Sequence, residues 1–467
     1  MLFHSYGFIF IFLPITFFIY FYLNNKKATI ASKGFLVASS LCFYSWWNLL
    51  YLPILLGSII GNFIIGTCLS REYKATFFNK KSLLIAGVAG NIALLGYFKY
   101  ADFLIANVNF ALRSDLPLFD LVLPLAISFF TFQQIAYLVD SYKGETKEYS
   151  FLNYTLFVTF FPQLIAGPIV HHKEMMPQFI KIKNKIKNYH NIALGLFIFS
   201  IGLFKKTIIA DTFAIWANDG FDASETLSMV EAWGASLSYT FQLYFDFSGY
   251  TDMAIGLALL FNIALPANFN SPYKANNIQD FWRRWHITLG RFLKDYIYIP
   301  LGGNRKHRFQ TYSNLLATFI IGGIWHGAGW TFIFWGFLHG MALVIYALWH
   351  KTGLKIWHWL AWFLTFNFIN ITWVFFRAEE WEDAIKVLSG MFSLDIAIDI
   401  NIQQAIYLSI AVIAVLIFKN SQEYIQSNLN RSLILFVTCL LSSISFLQIL
   451  NLTLQTNKSS AFLYFNF

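Results

Sequence analysis

The sequence predicts an all-α polytopic integral membrane protein. Of its 467 residues, 57% are hydrophobic and only 12% are charged, whereas a soluble domain carries about 25% charged residues. Its 53 phenylalanines and 15 tryptophans suit helices that face lipid and end in aromatic belts at the membrane surface. Apolar runs of roughly 17–25 residues recur along the chain. Because backbone polar groups inside a bilayer must be satisfied within their own segment, these runs are predicted to be helices.

The apolar runs fill the chain and leave no room for a second, soluble domain. We expect a single membrane-embedded domain over residues 1–467, with roughly 11–14 embedded segments, some of them re-entrant. Glycines in the first third are spaced so that helices could pack closely at Gly57, Gly61 and Gly66. The runs begin near Gly7, Gly34, Tyr51, Ser82, Leu118, Tyr149, Ile192, Ala232, Tyr250, Asn314, Trp330, Trp357, Gln403 and Ser432.

The basic residues follow the short loops between apolar runs. The first run begins without charge and ends at Lys26 and Lys27. A signal peptide has the opposite order of charge and ends at a small-residue cleavage site. We therefore expect an uncleaved first helix with its N-terminus outside and these lysines in the cytoplasm. The net charge of +9 then reflects loops that face anionic lipid, and no motif indicates a nucleic-acid partner.

Two segments are predicted to lie along the membrane surface. Residues 99–113 mix apolar and polar side chains, which is typical of an interfacial helix. Residues 178–190 place apolar side chains on one helical face and lysines elsewhere, which indicates a basic amphipathic helix on the cytoplasmic leaflet. A solvated run of charge is the alternative for this second segment. His171 and His172, beside Lys173, are also expected at the interface.

Two carboxylates stand inside membrane-like sequence, in the stretch YFDFSGYTD of residues 244–252. Ionisable groups in such segments usually face a cavity or a pathway. Asp246 and Asp252 could each cap a helix or pair with a nearby cation. Alternatively, they could form part of the wall of a polar reaction chamber.

The stretch QDFWRRWHITL of residues 279–289 is too polar to span a membrane, but it has helical character. Helical spacing would make Trp282 and His286 neighbours on one face, and Phe281 and Trp285 neighbours on another. Such a segment could enter the membrane and present His286 to a buried site. The alternative is a core histidine held by hydrogen bonds.

A second histidine, His326, lies deep in an apolar run within IGGIWHGAGW, residues 321–330. Glycines on both sides would let a substrate approach the imidazole. A neutral imidazole in a low-dielectric cavity can take a proton from an attacking hydroxyl. The alternative is a histidine that is satisfied by a backbone carbonyl between closely packed helices.

Other chemistries find less support in the sequence. A serine hydrolase would need a nucleophile elbow, and no Gly-x-Ser-x-Gly motif occurs. Three histidines, His286, His326 and His339, could in principle bind zinc, but the chain has no HExxH signature. We therefore predict no metal.

The central motifs resemble those of the membrane-bound O-acyltransferase family, in particular its bacterial branch typified by alginate O-acetyltransferase, which includes peptidoglycan O-acetyltransferase relatives. The stretches that carry the resemblance are YFDFSGYTDMAIGLALL, FNSPYKANNIQDFWRRWHITLGRFLKDYIYIPLGGNR and IGGIWHGAGWTFIFWGFLHG. The earlier FFPQLIAGPIVHHKEMMPQF and the opening LFHSYGFIFIFLPI are also similar to that branch. The resemblance runs from Leu2 to Phe467.

The resemblance implies a ring of tilted helices around a central tunnel, with re-entrant segments and an active-site block at about residues 239–340. It also implies acyl transfer to a hydroxyl, with His326 of the WHG motif as general base and His286 of the RRWH segment as its partner. His286 would orient the donor or stabilise developing charge. The other residues expected at the substrate tunnel are Trp282, Trp285, Trp325, Asp246, Asp252 and Arg283.

By the same resemblance, no cofactor is bound and acetyl-CoA is the acyl donor. Arg283 and Arg284 could attract its phosphates, although positive-inside bias explains them equally well. The acetyl group would cross the bacterial inner membrane to a periplasmic SGNH-type O-acetyltransferase, which places it on an alginate-like polysaccharide or on peptidoglycan. Membrane lipid is the other expected partner, and the protein would be multi-pass.

Three alternatives stay open at this stage. A transporter or flippase of a polysaccharide export system would explain the intramembrane carboxylates, and it predicts inverted repeats with broken helices. A scaffold of a secretion complex would leave the polar block around His286 and His326 without a purpose. Within the acyltransferases, D-alanyl transfer to another envelope polymer is the nearest alternative.

Overall fold

The computed structural model describes residues 1–70, 79–305, 307–395, 401–427, 430–456 and 462–463, and the regular secondary structure of these residues is helical. Short 3₁₀ or π-helical turns join several of the α-helices. The α-helices are, in chain order, Leu13–Asn25 (α1), Thr29–Ser45 (α2), Leu52–Ser70 (α3), Lys80–Leu112 (α4), Ile127–Tyr142 (α5), Phe151–Thr159 (α6), Phe161–Leu164 (α7), His172–Ile180 (α8), Tyr189–Phe204 (α9), Asp211–Asn218 (α10), Met229–Leu260 (α11), Ile278–Arg284 (α12), Ile287–Leu293 (α13), Arg308–His326 (α14), Trp330–Thr352 (α15), His358–Arg377 (α16), Trp381–Met391 (α17), Ile402–Ile417 (α18), Ser421–Gln426 (α19) and Arg431–Thr456 (α20).

Within the described residues, eight helical segments are long and apolar enough to cross a membrane. This confirms a multi-pass membrane protein. Predicted runs near Gly34, Leu118 and Tyr149 instead form helices of 17, 16 and 9 residues, at or below the shortest length that spans a bilayer. The eight candidate spans are Phe8–Asn25, Leu49–Ser70, Lys80–Leu112, Tyr189–Ala223, Trp330–Thr352, His358–Arg377, Ile402–Gln426 and Ser432–Asn451.

One long helix, α11, forms the centre of the fold. The runs predicted to begin near Ala232 and Tyr250 belong to this single helix of 32 residues. It begins at a capping box, in which Ser228 and Glu231 satisfy each other's backbone N–H groups. Helices α9, α10, α16, α17 and α18 pack around it, and it is buried along most of its length. Its polar side chains therefore face protein rather than lipid.

The prediction that residues 99–113 form a separate interfacial segment is wrong. These residues continue α4, a single helix of 33 residues. At 1.5 Å per residue α4 is about 50 Å long, which exceeds the hydrocarbon thickness of about 30 Å. The polar side chains of this half contact other parts of the protein, as described below.

The prediction of one amphipathic helix over residues 178–190 is also wrong. Helix α8 ends at Ile180, and a 3₁₀ turn over Ile182–Lys185 separates it from α9. The break has a local cause, because Lys181 leaves the helical conformation, with ψ 123°. The Asn188 side chain then caps α9 by accepting the N–H groups of the second and third residues that follow it. The isoleucines and lysines of this stretch therefore share no single helical face.

Close packing of α9 against α11 rests on two pairs of glycines. On each helix the glycines stand seven residues apart, at Gly195 and Gly202 on α9 and at Gly249 and Gly256 on α11. A Cβ atom on Gly202 would lie 2.5 Å from the Gly249 carbonyl oxygen, and one on Gly256 would lie 2.5 Å from the Gly195 carbonyl oxygen. The two backbones are therefore in direct contact.

The glycines singled out in α3 behave differently from one another. A Cβ atom on Gly66 would lie 2.2 Å from the ring of Tyr137, so this position does permit close packing. A Cβ atom on Gly57 or Gly61 would meet no heavy atom within 4 Å among the described residues. Spacing alone therefore does not distinguish a packing glycine from one on an open face.

We expect Gly256→Ala to destabilise the protein by about 1–3 kcal/mol, because the added methyl group must push α9 and α11 apart. The matched control is Gly61→Ala, which adds a methyl group in open space and improves helix propensity by about 1 kcal/mol. Thermal unfolding in detergent measures both. Equal unfolding temperatures for the two variants would contradict the role of this contact.

Candidate active site

His326 is the last residue of α14 and is only 2% exposed. Its imidazole packs against the indole of Trp325 at 4.8 Å, the indole of Trp335 at 5.1 Å and the ring of Phe376 at 5.0 Å between centroids. These three neighbours come from α14, α15 and α16. Burial among aromatic rings favours the neutral form of an imidazole, which is the form that can accept a proton.

Gly323 and Gly327, two of the glycines around His326, serve helix packing, so the space beside them is filled by α15. The prediction that the flanking glycines open a path for substrate stays a prediction. A Cβ atom on Gly323 would lie 2.3 Å from the Phe332 carbonyl oxygen, and one on Gly336 would lie 2.4 Å from the Phe319 carbonyl oxygen. The ring of Phe332 fills the space beside Gly327 in the same way, at 2.2 Å. Helices α14 and α15 thus cross with their backbones in contact.

His286 lies at the junction of α12 and α13, where the backbone adopts φ 43° and ψ 52°. This left-handed conformation is uncommon for a residue other than glycine, and such positions cluster at functional sites. The helix that was predicted to continue through residues 279–289 therefore breaks, and Trp282 and His286 are not neighbours on one face. Phe281 and Trp285 do stack, with ring centroids 5.6 Å apart.

The side chain of Asn268 holds this junction in place. Its Oδ1 atom accepts hydrogen bonds from the backbone N–H of Thr288 at 3.2 Å and from the Thr288 hydroxyl at 2.8 Å. Asn268 therefore caps α13, and its Oδ1 atom also lies 3.1 Å from Nδ1 of His286. Because Oδ1 is an acceptor here, Nδ1 of His286 carries the proton and Nε2 carries the lone pair.

Trp325 connects the two histidines. Its indole ring contacts the ring of His286 at 6.3 Å between centroids and that of His326 at 4.8 Å. Phe132 of α5 stacks on it at 4.9 Å with an interplanar angle of 17°. The structure thus brings together three residues predicted for the site, although they come from two distant parts of the sequence.

The other predicted tunnel residues on α12 have different surroundings. Trp285 is buried against the Trp373 indole at 5.0 Å, and Trp282 lies 5.9 Å from the Trp335 indole that touches His326. The side chain of Arg283 is exposed. Trp282 therefore belongs to the second layer of residues around His326, whereas Arg283 lies on the protein surface.

His339 has a structural environment. The indole N–H of Trp282 donates to its Nδ1 atom at 3.1 Å, so Nε2 carries the proton and donates to the Thr372 hydroxyl at 3.1 Å. Both ring nitrogens are therefore engaged within the protein. This arrangement argues against the zinc site that His286, His326 and His339 could have formed, because His339 has no lone pair left for a metal.

Asp246 and Asp252 of α11 form buried ion pairs with two consecutive lysines. Lys206 lies 2.7 Å from Asp246, and Lys205 lies 2.7 Å from Asp252. The Ser421 hydroxyl of α19 also donates to Asp252. These contacts match the ion-pair alternative for the two carboxylates. Their predicted place at the substrate tunnel stays a prediction.

The last described residues of the chain, Phe462 and Leu463, reach the centre of the protein. The backbone N–H of Leu463 donates to Asp246 at 2.9 Å, and the ring of Phe462 stacks on Tyr250 at 4.5 Å. Phe462 also lies 5.9 Å from Phe247, whose ring contacts His286 at 4.8 Å. The sequence analysis did not foresee this contact, because no periodic pattern marks these residues.

A second polar cluster lies at the end of α5. Asp140 accepts a hydrogen bond from the Tyr296 hydroxyl at 2.7 Å and lies 3.2 Å from Nδ1 of His171. His171 and His172 are each 7% exposed, so they are buried within the protein, and their expected position at the membrane interface stays a prediction. Burial raises the pKa of the Glu148 carboxyl, but hydrogen bonds from His172 and a backbone N–H outweigh it, so the net pKa lies below its usual value.

Stacked aromatic rings connect this cluster to the histidines. The ring of Tyr296 packs on Phe292 at 4.9 Å, and Phe292 stacks on Phe132 at 4.0 Å. Phe132 in turn stacks on Trp325. The sequence analysis did not single out Tyr296, Phe292 or Phe132, because a single sequence does not distinguish rings that face lipid from rings that face each other.

Comparison with known proteins identifies the family. The sequence model of the membrane-bound O-acyltransferase family matches residues 140–378, which include both histidines and most of the helices around α11. The chain belongs to this family. Together with its named acetyltransferase relatives, this makes the protein a membrane O-acyltransferase.

Three kinds of bacterial acyltransferase are similar to this protein. A peptidoglycan O-acetyltransferase of Helicobacter pylori is 49% identical, and the match covers 100% of this chain and 98% of the relative. A probable alginate O-acetylase of Pseudomonas aeruginosa is 40% identical over 84% of this chain and 75% of the relative. A teichoic acid D-alanyltransferase of Bacillus subtilis is 28% identical over 56% of this chain and 71% of the relative.

We expect Asn268→Leu to lower acyl transfer about 100-fold, because a displacement of about 1 Å at a catalytic group can cost that much and this variant releases both α13 and His286. Asn268→Asp keeps the accepting oxygen and should retain most of the activity. The measurement is acyl transfer by membrane vesicles, normalised to the amount of protein. Full activity of Asn268→Leu would show that Asn268 does not position His286.

We expect Lys205→Met to destabilise the protein by about 3–5 kcal/mol, because it leaves Asp252 as a buried, unpaired charge. The double variant Lys205→Met with Asp252→Asn removes both charges and should recover most of the lost stability. Thermal unfolding in detergent is the measurement. If the double variant were as unstable as Lys205→Met alone, the ion pair would not be the cause of the loss.

Proposed function

We propose that this protein transfers acetyl groups from cytoplasmic acetyl-CoA to a hydroxyl acceptor for the O-acetylation of peptidoglycan. The polymer is suggested by the full-length match to the Helicobacter pylori peptidoglycan O-acetyltransferase, which is more similar than the alginate O-acetylase. An alginate-like polysaccharide is the second candidate. D-alanyl transfer has weaker support, because the D-alanyltransferase is only 28% identical over about half of this chain.

The observation that carries the proposal is the convergence of His286 and His326 on the indole of Trp325. His326 is the general base. It accepts the proton of the acceptor hydroxyl while the hydroxyl oxygen attacks the thioester carbonyl carbon. A carbon–oxygen bond forms, the carbon–sulfur bond breaks, and the proton passes to the departing thiolate of coenzyme A.

The proton arrangement of His286 refines its proposed role. Nδ1 donates to Asn268, so Nε2 can only accept a hydrogen bond while the ring is neutral. A neutral acceptor cannot stabilise negative charge on a carbonyl oxygen. We therefore assign His286 to orienting the hydroxyl that receives the acetyl group, by accepting a hydrogen bond from that hydroxyl directly or through a water. Charge stabilisation is not part of this role.

Delivery of the acetyl group beyond the membrane completes the proposal. The protein would lie in the bacterial inner membrane, with its N-terminus outside and the loop around Lys26 in the cytoplasm. Exposed basic residues such as Arg283 would attract the phosphates of the donor. A periplasmic SGNH-type partner would then place the acetyl group on the polymer.

The test is deletion of the gene and complementation with wild type or His326→Ala at equal membrane abundance. Base-labile acetate is released separately from purified peptidoglycan and from extracellular polysaccharide. We expect wild type to restore the ester on peptidoglycan. We expect His326→Ala to restore less than about 1% of it, because a positioned general base contributes about 10²–10⁴-fold.

His350→Ala is the matched control, because His350 is an exposed histidine on α15 and its loss should leave the ester unchanged. Restoration confined to extracellular polysaccharide would move the proposal to the second polymer. Full restoration by His326→Ala would exclude His326 as the base. An unchanged ester content in the deletion strain would instead favour a transport or scaffold role.

A further inference from the structure

The turn that carries His326 is held by one face of α4, a helix that the sequence analysis did not connect with the site. Lys99, Phe103 and Asn107 follow one another at intervals of four residues, so they share a face of α4. This face lies against the turn between α14 and α15, residues 324–330. It contacts the turn both before Gly327 and after Gly329.

On the His326 side, the ammonium group of Lys99 donates to two successive backbone carbonyls. Its Nζ atom lies 2.6 Å from the Trp325 oxygen and 2.9 Å from the His326 oxygen. It also lies 5.9 Å from the centre of the Trp325 indole ring, within the range of a cation–π interaction. The hydroxyl of the next residue, Tyr100, donates to the Ile324 carbonyl.

On the far side of the turn, the contacts involve Trp330, the first residue of α15. Its indole N–H donates to the side chain of Asn107 at 2.9 Å. The ring of Phe103 lies 5.9 Å from the same indole. One helical face therefore clamps both ends of the turn that contains Gly327 and Gly329.

Helix chemistry explains why a strong hydrogen-bond donor is favoured at this contact. The last four carbonyls of an α-helix have no N–H partner within the helix, and α14 ends at His326. The negative end of the helix dipole favours a positively charged donor. A lysine within a candidate membrane span is costly unless polar groups surround it, and the two carbonyls supply that environment.

We propose that Lys99 is a positioning residue for acyl transfer, which fixes the backbone of Trp325 and His326 so that the imidazole keeps its orientation toward the substrate. This inference rests on the proposed role of His326. Lys99 acts through His326 and touches neither donor nor acceptor. Its loss should therefore lower kcat and leave the KM for the donor unchanged.

The test uses membrane vesicles from the complemented deletion strain, with release of coenzyme A measured over a range of acetyl-CoA concentrations. We expect Lys99→Met to lower kcat at least tenfold at unchanged KM and unfolding temperature. Lys99→Arg keeps a charged donor and should recover a substantial part of kcat. Lys81→Met, which removes an exposed lysine from the same helix, is the matched control and should behave as wild type.

The outcomes separate this inference from the proposed function. If His326→Ala is inactive and folded Lys99→Met has wild-type kcat, Lys99 is not a positioning residue and the role of His326 stands. If His326→Ala is active, the proposed role of His326 is wrong, and the inference about Lys99 is overturned with it. A rise in KM at unchanged kcat would overturn the inference by placing Lys99 at the donor.

If Lys99→Met does not fold, a second variant tests the inference, in which a neutral amide replaces the ammonium group. Lys99→Gln can still donate to the carbonyls of residues 325 and 326. A folded Lys99→Gln with reduced kcat at unchanged KM supports the inference, and one with wild-type kcat overturns it, because the lysine is then not needed to position His326. If neither variant folds, Lys99 is required for the fold, and the positioning role is overturned.

Discussion

Inside an apolar interior, a polar group must find its partner within the protein, and much of this structure follows from that constraint. The central helix α11 carries two carboxylates, which pair with the lysines that follow α9. The end of α14 leaves backbone carbonyls, which Lys99 of α4 satisfies. Each pairing joins elements that are distant in the sequence. The polar groups therefore determine which helices become neighbours, while apolar packing determines how closely they approach.

The same constraint gives the histidines distinct properties. His339 has both nitrogens engaged, by Trp282 and Thr372, which makes it a fixed part of the core. His286 has its Nδ1 proton held by Asn268, which directs its chemistry to Nε2. His326 ends a helix among aromatic rings and is held through its backbone. Three buried histidines within one region thus have different roles, and hydrogen-bond partners distinguish them better than burial does, since all three are almost completely buried.

Several sequence predictions failed for the same reason. A local sequence pattern does not show which distant residue a side chain packs against or bonds to. The glycines beside His326 were interpreted as space for substrate, but at Gly323 and Gly327 the backbone and ring of Phe332 of α15 occupy that space. The helical spacing of Trp282 and His286 was regular, but the cap by Asn268 breaks the helix between them. Residues 99–113 looked interfacial because they mix polar and apolar side chains, yet Lys99 and Asn107 contact the turn between α14 and α15.

The sequence by itself determined the fold class, the family and the two histidines at which chemistry is proposed. Composition and long apolar runs require a bilayer as solvent, and the WHG and RRWH motifs are recognisable without a structure. Only the tertiary structure decided which polar groups meet. It paired Asp246 and Asp252 with lysines, satisfied His339, and brought Lys99 to the end of α14. The physical reason is that helix formation depends on local spacing, whereas the partner of a buried polar group is set by the packing of distant helices.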